Sequence, residues 1–343
     1  MQTYKAPLSE RLYFIVVHKW KYLWAIFLSN FYTKDNTNIV RKVIYLARVK
    51  DKDWIFGAKV RRLSKHSSLE ATTHFNDKFK NIPDADGYYH IYQNHFCRAI
   101  RRKPNILNKR NVVMFTHPSW SRKYSITHVI FCLNKADYII CLNSFMRDDL
   151  ISLGVKPEKL VVMHIATSDT FFKTHERRTG GVGFCSNYGP RKNPDLLYDI
   201  VMNMPHRKFH LVGRNWDNYE KFSQLLAQEN FTYYDNLDYE MYPELYSKMD
   251  VFVSPSILEG GPVPILEAMM SNCVPVASKT GFCPDIINHG QNGFLFDINS
   301  DYKEVIGLID KAFDFKINTR DTVIDFTWSN CSKRIDDLLT GKE

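Results

Sequence analysis

Residues 259–267 read Glu259-Gly260-Gly261-Pro262-Val263-Pro264-Ile265-Leu266-Glu267. The preceding run, Val251-Phe-Val-Ser-Pro255, is short and apolar and ends at a turn, which predicts a buried strand. Pro262 suits the first turn of a helix, where a missing amide proton costs nothing. Leu266-Glu-Ala-Met-Met270 then continue as good helix formers. A strand, a glycine turn and a helix start in this order predict an α/β sheet with its ligand crevice at the strand ends. The unpaired amides of that helix start attract anions, and Gly260 and Gly261 let a phosphate or sugar approach the backbone. Pro262 has no donor, so Gly261 and Val263 supply the amides. Glu259 and Glu267 are separated by about two helical turns, near one edge of the same crevice. One carboxylate there addresses a sugar while the other accepts hydrogen bonds from vicinal hydroxyls.

Further apolar runs alternate with helical stretches on both sides. Strands are predicted at 182–185, 209–213, 231–234, 251–253 and 274–277, with helices at 194–202, 219–228, 239–249 and 262–270. An earlier series has strands at 71–75, 87–92, 112–116, 138–142 and 161–164, with a helix at 54–65. Two such series imply two parallel sheets with helices on both faces. A length of 343 residues suits two domains, and 44% hydrophobic residues fill two ordinary cores. The polar stretch Thr174-His-Glu-Arg-Arg-Thr-Gly-Gly181 marks the boundary region, 165–180.

Charge is divided unevenly. Residues 1–150 carry 26 Lys/Arg against 11 Asp/Glu, or +15, while residues 151–343 carry 20 against 26, or −6. The basic half faces nucleic acid, a membrane surface or a phosphate-bearing acceptor, or it is a solvated surface serving solubility. Nucleic acid is poorly served, because Arg98, Arg101, Arg102, Lys103, Lys109 and Arg110 are interleaved with few aromatic rings for stacking. Residues 8–32 mix Trp, Tyr and Lys at mostly helical spacing. That pattern suits a membrane interface, and equally an extra helix packed on the first domain. The seven cysteines are an odd number with no metal-ligand spacing, which predicts reduced thiols in a cytoplasmic protein. No signal peptide pattern and no membrane-spanning run are visible.

The ordered set of motifs resembles the retaining glycosyltransferases of family 4, which have the GT-B fold. Glu259 and Glu267 match that family's Glu-x7-Glu element. Around it, Ala136–Ser144, Gly154–Val162, Asp169–Phe172, Gly189-Pro-Arg-Lys-Asn-Pro194, Pro275–Ser278, Gly281, Asn292–Leu295 and Phe326-Thr-Trp328 fall in matching order. The resemblance covers roughly residues 85–340 and is strongest over 180–297. It implies two Rossmann-like domains with parallel sheets facing across a cleft, plus an N-terminal helical extension. The extension covers residues 1–50, the acceptor domain 51–170, the nucleotide-sugar domain 171–325, and a closing helix 326–343 returns toward the first domain.

The resemblance also implies site residues. Arg191 and Lys192 hold the donor diphosphate, where a cation stabilises the leaving group as charge builds. Gly260, Gly261 and Val263 present backbone, Glu267 accepts from the ribose, Glu259 lies near the sugar, and Asn236 and Leu237 lie where the base sits. His117, after the strand 112–116, faces the donor sugar in that family; read alone, a strand-end histidine is as readily a packing residue. Asn94 and His95 are candidates for acceptor contact. Two departures stand out. Ser186 occupies the neighbourhood of the family's usual arginine, and only Gly57 and Gly87 precede Gly154, so the initial strand and glycine loop are expected to be rebuilt or absent. The implied reaction moves a sugar from a nucleotide-sugar to a glycan or lipid-linked acceptor, with retained configuration and no cofactor or metal. A degenerate GT-B module that binds glycan or protein is the alternative. The implied location is the cytoplasm or the cytoplasmic face of a membrane.

Overall fold

The computed structural model describes residues 20, 22–32, 39–53, 55–79, 81–116, 125–174, 176 and 179–342. The chain forms two compact units, Met1–Met163 with Trp328–Glu343, and His164–Thr327.

The first unit is built on a six-stranded sheet in the order β2-β1-β3-β4-β5-β6, parallel throughout. Its strands are β1 (Lys42–Ala47), β2 (Glu70–Phe75), β3 (Gly87–His90), β4 (Arg110–Phe115), β5 (Tyr138–Cys141) and β6 (Leu160–Val162). β1 lies within residues 1–50, where a helical extension is expected, and of the two expectations for the initial strand and glycine loop, rebuilt or absent, the unit is rebuilt. Val43-Ile-Tyr-Leu-Ala47 is fully buried and pairs with β2 and β3 on its two sides. A parallel strand covered on both faces reads as a continuous apolar run with no alternation. The Asp86 carboxylate fixes its start by accepting from the amides of Arg41 (3.0 Å) and Lys42 (2.9 Å). Instead of a glycine loop, β1 leads into Arg48–Asp53, closed by an Arg48–Asp51 ion pair of 2.6 Å. The helix Trp328–Thr340 packs in this unit, where Asp336 accepts from Ser67 Oγ (2.7 Å), Ser68 N (2.7 Å) and Ser68 Oγ (2.9 Å).

The second unit has a parallel sheet in the order β12-β11-β10-β7-β8-β9. Its strands are β7 (Gly181–Cys185), β8 (Lys208–Gly213), β9 (Phe231–Asp235), β10 (Val251–Ser254), β11 (Val274–Ser278) and β12 (Phe294–Phe296). Val182, Phe184, Phe209, Leu211, Val251 and Val276 build its core with Leu197, Ile200 and Ile309 from the flanking helices. The chain runs outward from β7 through β8 to β9, then returns to β10 on the other side of β7. The strand order reverses between β7 and β10, and a crevice outside the carboxyl ends of those strands is where doubly wound sheets hold ligands.

Candidate functional site

Beyond β7 the chain is held rigidly against the end of β8. Ser186 N donates to Val212 O (2.9 Å), Tyr188 N to Arg214 O (2.9 Å), and Trp216 Nε1 to Ser186 O (2.7 Å). Gly213 permits this approach: a Cβ there would stand 1.8 Å from Ser186 O. The loop tightens into the single turn Pro190–Lys192, passes through left-handed Asn193 (φ 53°), and enters the helix Pro194–Asn203. Arg191 and Lys192 are thereby presented at the switch point.

The segment after β10 closes on the same loop. Ile257 N donates to Arg191 O (2.9 Å), and Arg191 Nη1 donates to Leu258 O (3.1 Å) and meets Glu259 Oε2 at 3.0 Å. The Lys192 ammonium bonds Glu259 Oε1. The Glu259 side chain is only 8% exposed and that of Lys192 16%, whereas Arg191 is half exposed. Burial would raise the Glu259 pKa, but Lys192 and then Arg191 overcome it and hold the carboxyl below its ordinary value. Gly281 (φ +58°) lies against the base of the Glu259 side chain; a Cβ at that position would stand 3.0 Å from Glu259 Cβ.

The helix Val263–Met270 starts immediately beyond, with Pro262 as its N-cap residue. The first amides of a helix lack intrahelical partners, so Val263 opens an anion-attracting end. Gly260 is buried and Gly261 half-buried beside it. Glu267, one side of that helix, is 4% exposed and accepts from Tyr239 Oη (2.9 Å) and Tyr246 Oη (3.1 Å). Burial first, with the neighbouring Glu267 carboxylate, pushes the Tyr246 hydroxyl well up, so it stays a donor.

Cys185 is the last residue of β7. Burial first, and then the Glu267 carboxylate, push its thiol up to about 12, against the pull of Lys192. Sequence reasoning missed Cys185 and the ring set Tyr239, Tyr242 and Tyr246. The spacing of those three tyrosines on one helical face was the available signal.

The remaining sequence-predicted residues fall in several places. Asn236 follows β9 in the left-handed region (φ 48°) and is exposed, with Leu237 half-buried next to it. In the first unit, Asn94 is half-buried and donates to Tyr92 Oη (3.0 Å). His95 is corrected from an acceptor contact to a packing residue. It is 3% exposed, its ring lies 4.4 Å from that of Phe79, and Nε2 meets Asn76 O at 2.7 Å. His117 lies outside the described residues.

A doubly wound unit with cations, a carboxylate and a helix start at its switch point, on a chain with a second parallel α/β unit, defines a GT-B protein. Solved structures agree on the fold. Sucrose-phosphate synthase from Thermosynechococcus elongatus aligns with a TM-score of 0.71 at 14% identity, covering 87% of this chain and 98% of that one. Anabaena HepE in complex with UDP aligns at 0.65 and 16% identity, covering 87% and 95%. Residues 170–325 match the family described as glycosyl transferases group 1, and residues 92–165 match the glucosyltransferase 3-like N-terminal domain. Residues 170–325 therefore form a glycosyl transferases group 1 domain. Among its relatives, the Escherichia coli O-antigen biosynthesis glycosyltransferase WbnH is 24% identical over 200 residues, which is 58% of this chain and 54% of that protein. The chain spans between 22% and 58% of the length of the curated relatives it matches.

Proposed function

We propose that this protein transfers a sugar from a nucleotide-sugar to a glycan or lipid-linked acceptor with retention of anomeric configuration, in the synthesis of a surface polysaccharide or glycoconjugate. The observation that carries the reading is the Arg191–Glu259–Lys192 cluster at the switch point of the second unit. The diphosphate lies against Lys192, Arg191 and the amides of Gly261 and Val263. An ammonium group has three donors, so Lys192 holds Glu259 with one and retains others for phosphate oxygens. As the bond to the leaving diphosphate breaks, these fixed charges stabilise the oxygen that gains charge. They supply the neutralisation that a divalent ion would otherwise give, and the reading needs no metal or other cofactor. Glu259 sits beside the sugar, Glu267 and its tyrosines fix the ribose, and Asn236 and Leu237 border the base. His117 serves the sugar or leaving phosphate, and Asn94 the acceptor.

The protein further works at the cytoplasmic face of a membrane. Trp20, Leu23, Trp24, Phe27 and Phe31 are exposed along one helical stretch, with stacked rings at 5.6 Å (Trp20–Trp24) and 5.4 Å (Trp24–Phe27). Aromatic rings beside lysines favour the bilayer interface. No helix among the described residues is long and apolar enough to cross a membrane.

The test is a thermal-shift and hydrolysis panel of UDP-, GDP-, ADP- and dTDP-sugars. One donor class raises the melting temperature and is slowly hydrolysed. No shift and no hydrolysis with any donor would overturn the transferase reading, and would favour a GT-B module kept as a scaffold.

A further inference from the structure

A separate constellation lies inside the first unit. Cys97 belongs to the helix Gln93–Arg102, and His128 and Cys132 lie one turn apart on the helix Ile126–Leu133. The two helices pack together. One sulfur from each cysteine and one ring nitrogen of His128 lie within 4.8 Å of one another. None of the three residues is more than 1% exposed. Metal–sulfur bonds of about 2.3 Å and metal–nitrogen bonds of about 2.0 Å would space three such donors roughly 3.5 to 4 Å apart. Side-chain adjustment alone covers the difference.

We propose that Cys97, His128 and Cys132 bind one thiophilic d10 cation, Zn²⁺ or Cu⁺, as a structural clasp between these helices. Two sulfurs and an imidazole select soft or borderline ions; no carboxylate belongs to the set, which disfavours Mg²⁺ and Ca²⁺. On binding, each thiol forms a metal–sulfur bond and gives its proton to solvent, and the neutral imidazole donates a lone pair. Two protons leave per ion and nothing is oxidised or reduced. Arg101, one turn beyond Cys97 on the same helix, offsets part of the charge of the two thiolates. With Cu⁺ the charges cancel; with Zn²⁺ one positive charge remains. The site lies in the first unit, apart from the donor residues of the second, and does not enter the transfer chemistry. It bears instead on the N-terminal aromatic helix, because Tyr22 rests edge-on against His128 (6.1 Å) and Phe131 (5.6 Å). An ion that locks the helix Ile126–Leu133 fixes the seat of Tyr22.

The full chain, purified without chelator from medium containing both metals, is analysed by mass spectrometry for bound zinc and copper. The expected result is about one equivalent of one of them per chain. His128→Asn and Cys132→Ser lose it, while Cys141→Ser, a buried cysteine outside the set, keeps it. Should a variant fail to fold, the native chain decides. After stripping, Co²⁺ or Cu⁺ is titrated in and read by its thiolate charge-transfer absorption, with about two protons released per ion. Absence of co-purified zinc and copper together with absence of a thiolate band overturns the proposal. So does an ion retained by folded His128→Asn and Cys132→Ser.

Discussion

Glu259→Gln separates two consequences of the cation cluster. The carboxylate offsets one of the two charges of Lys192 and Arg191, with the Arg191 contact at 3.0 Å. A diphosphate that takes up the remaining donors is repelled by it. Two unit charges at about 4 Å interact by roughly 4 kcal/mol at an effective dielectric near 20. Half exposure of Arg191 screens part of this, leaving about 1 to 2 kcal/mol for an incoming anion. Binding of UDP, measured by calorimetry, should therefore tighten about tenfold. Turnover should fall by at least about a hundredfold, since the carboxylate beside the sugar is lost. The fold should also weaken. Removing one member of a buried pair costs about 3 to 5 kcal/mol, reduced here to about 2 because Arg191 regains water. For a unit of this size that is about 5 °C in melting temperature. The Glu259 pKa is lower folded than unfolded. Its contribution is present above the ordinary glutamate value and lost as pH falls through the folded one. The melting difference between wild type and variant should shrink accordingly in acid. Unchanged or weaker UDP binding with an unchanged melting temperature would refute the placement of a diphosphate on these cations.

Two further outcomes are expected. In the first unit, burial drives His90 down to about 3 and His95 to about 4. The unfolded chain takes up these protons below about pH 6.5 while the folded one does not, so stability falls by about 1.4 kcal/mol per pH unit for each histidine between about pH 6.5 and 4. Urea unfolding at stepped pH reads the slope; a flat profile would contradict the burial of both rings. Replacing Trp20, Trp24 and Phe27 together with Ser should leave the melting temperature unchanged, because all three are exposed. It should weaken sedimentation with anionic phospholipid vesicles about a hundredfold, at roughly 1 kcal/mol per inserted ring. Equal vesicle binding would count against the membrane reading.

The sequence disclosed whatever is local. The runs at 209–213 and 251–253 are short, apolar and bounded by turns, and they are strands β8 and β10. β1 escaped because its apolar run is bounded by charged residues and lacks the glycine or proline that ends the runs at 213 and 255. Asn94 and His95 were indistinguishable as letters. Successive helical residues point about 100° apart, and only the packing of Phe79 shows that His95 is the one turned inward. The Cys97–His128–Cys132 set illustrates the same limit. Two of its members are four apart and visible as a helical pair, but the third comes from another helix, and nothing in linear spacing announces that.

The donor site sits between these extremes, and the reason is topological. Lys192 and Glu267 belong to segments 75 positions apart in the chain. Those segments follow β7 and β10, which are neighbours in the sheet although β8 and β9 intervene in sequence. Each segment was readable alone: a basic turn after one strand, an acidic helix after another. Bringing the two segments to the same end of the sheet required the strand order, which no local pattern states.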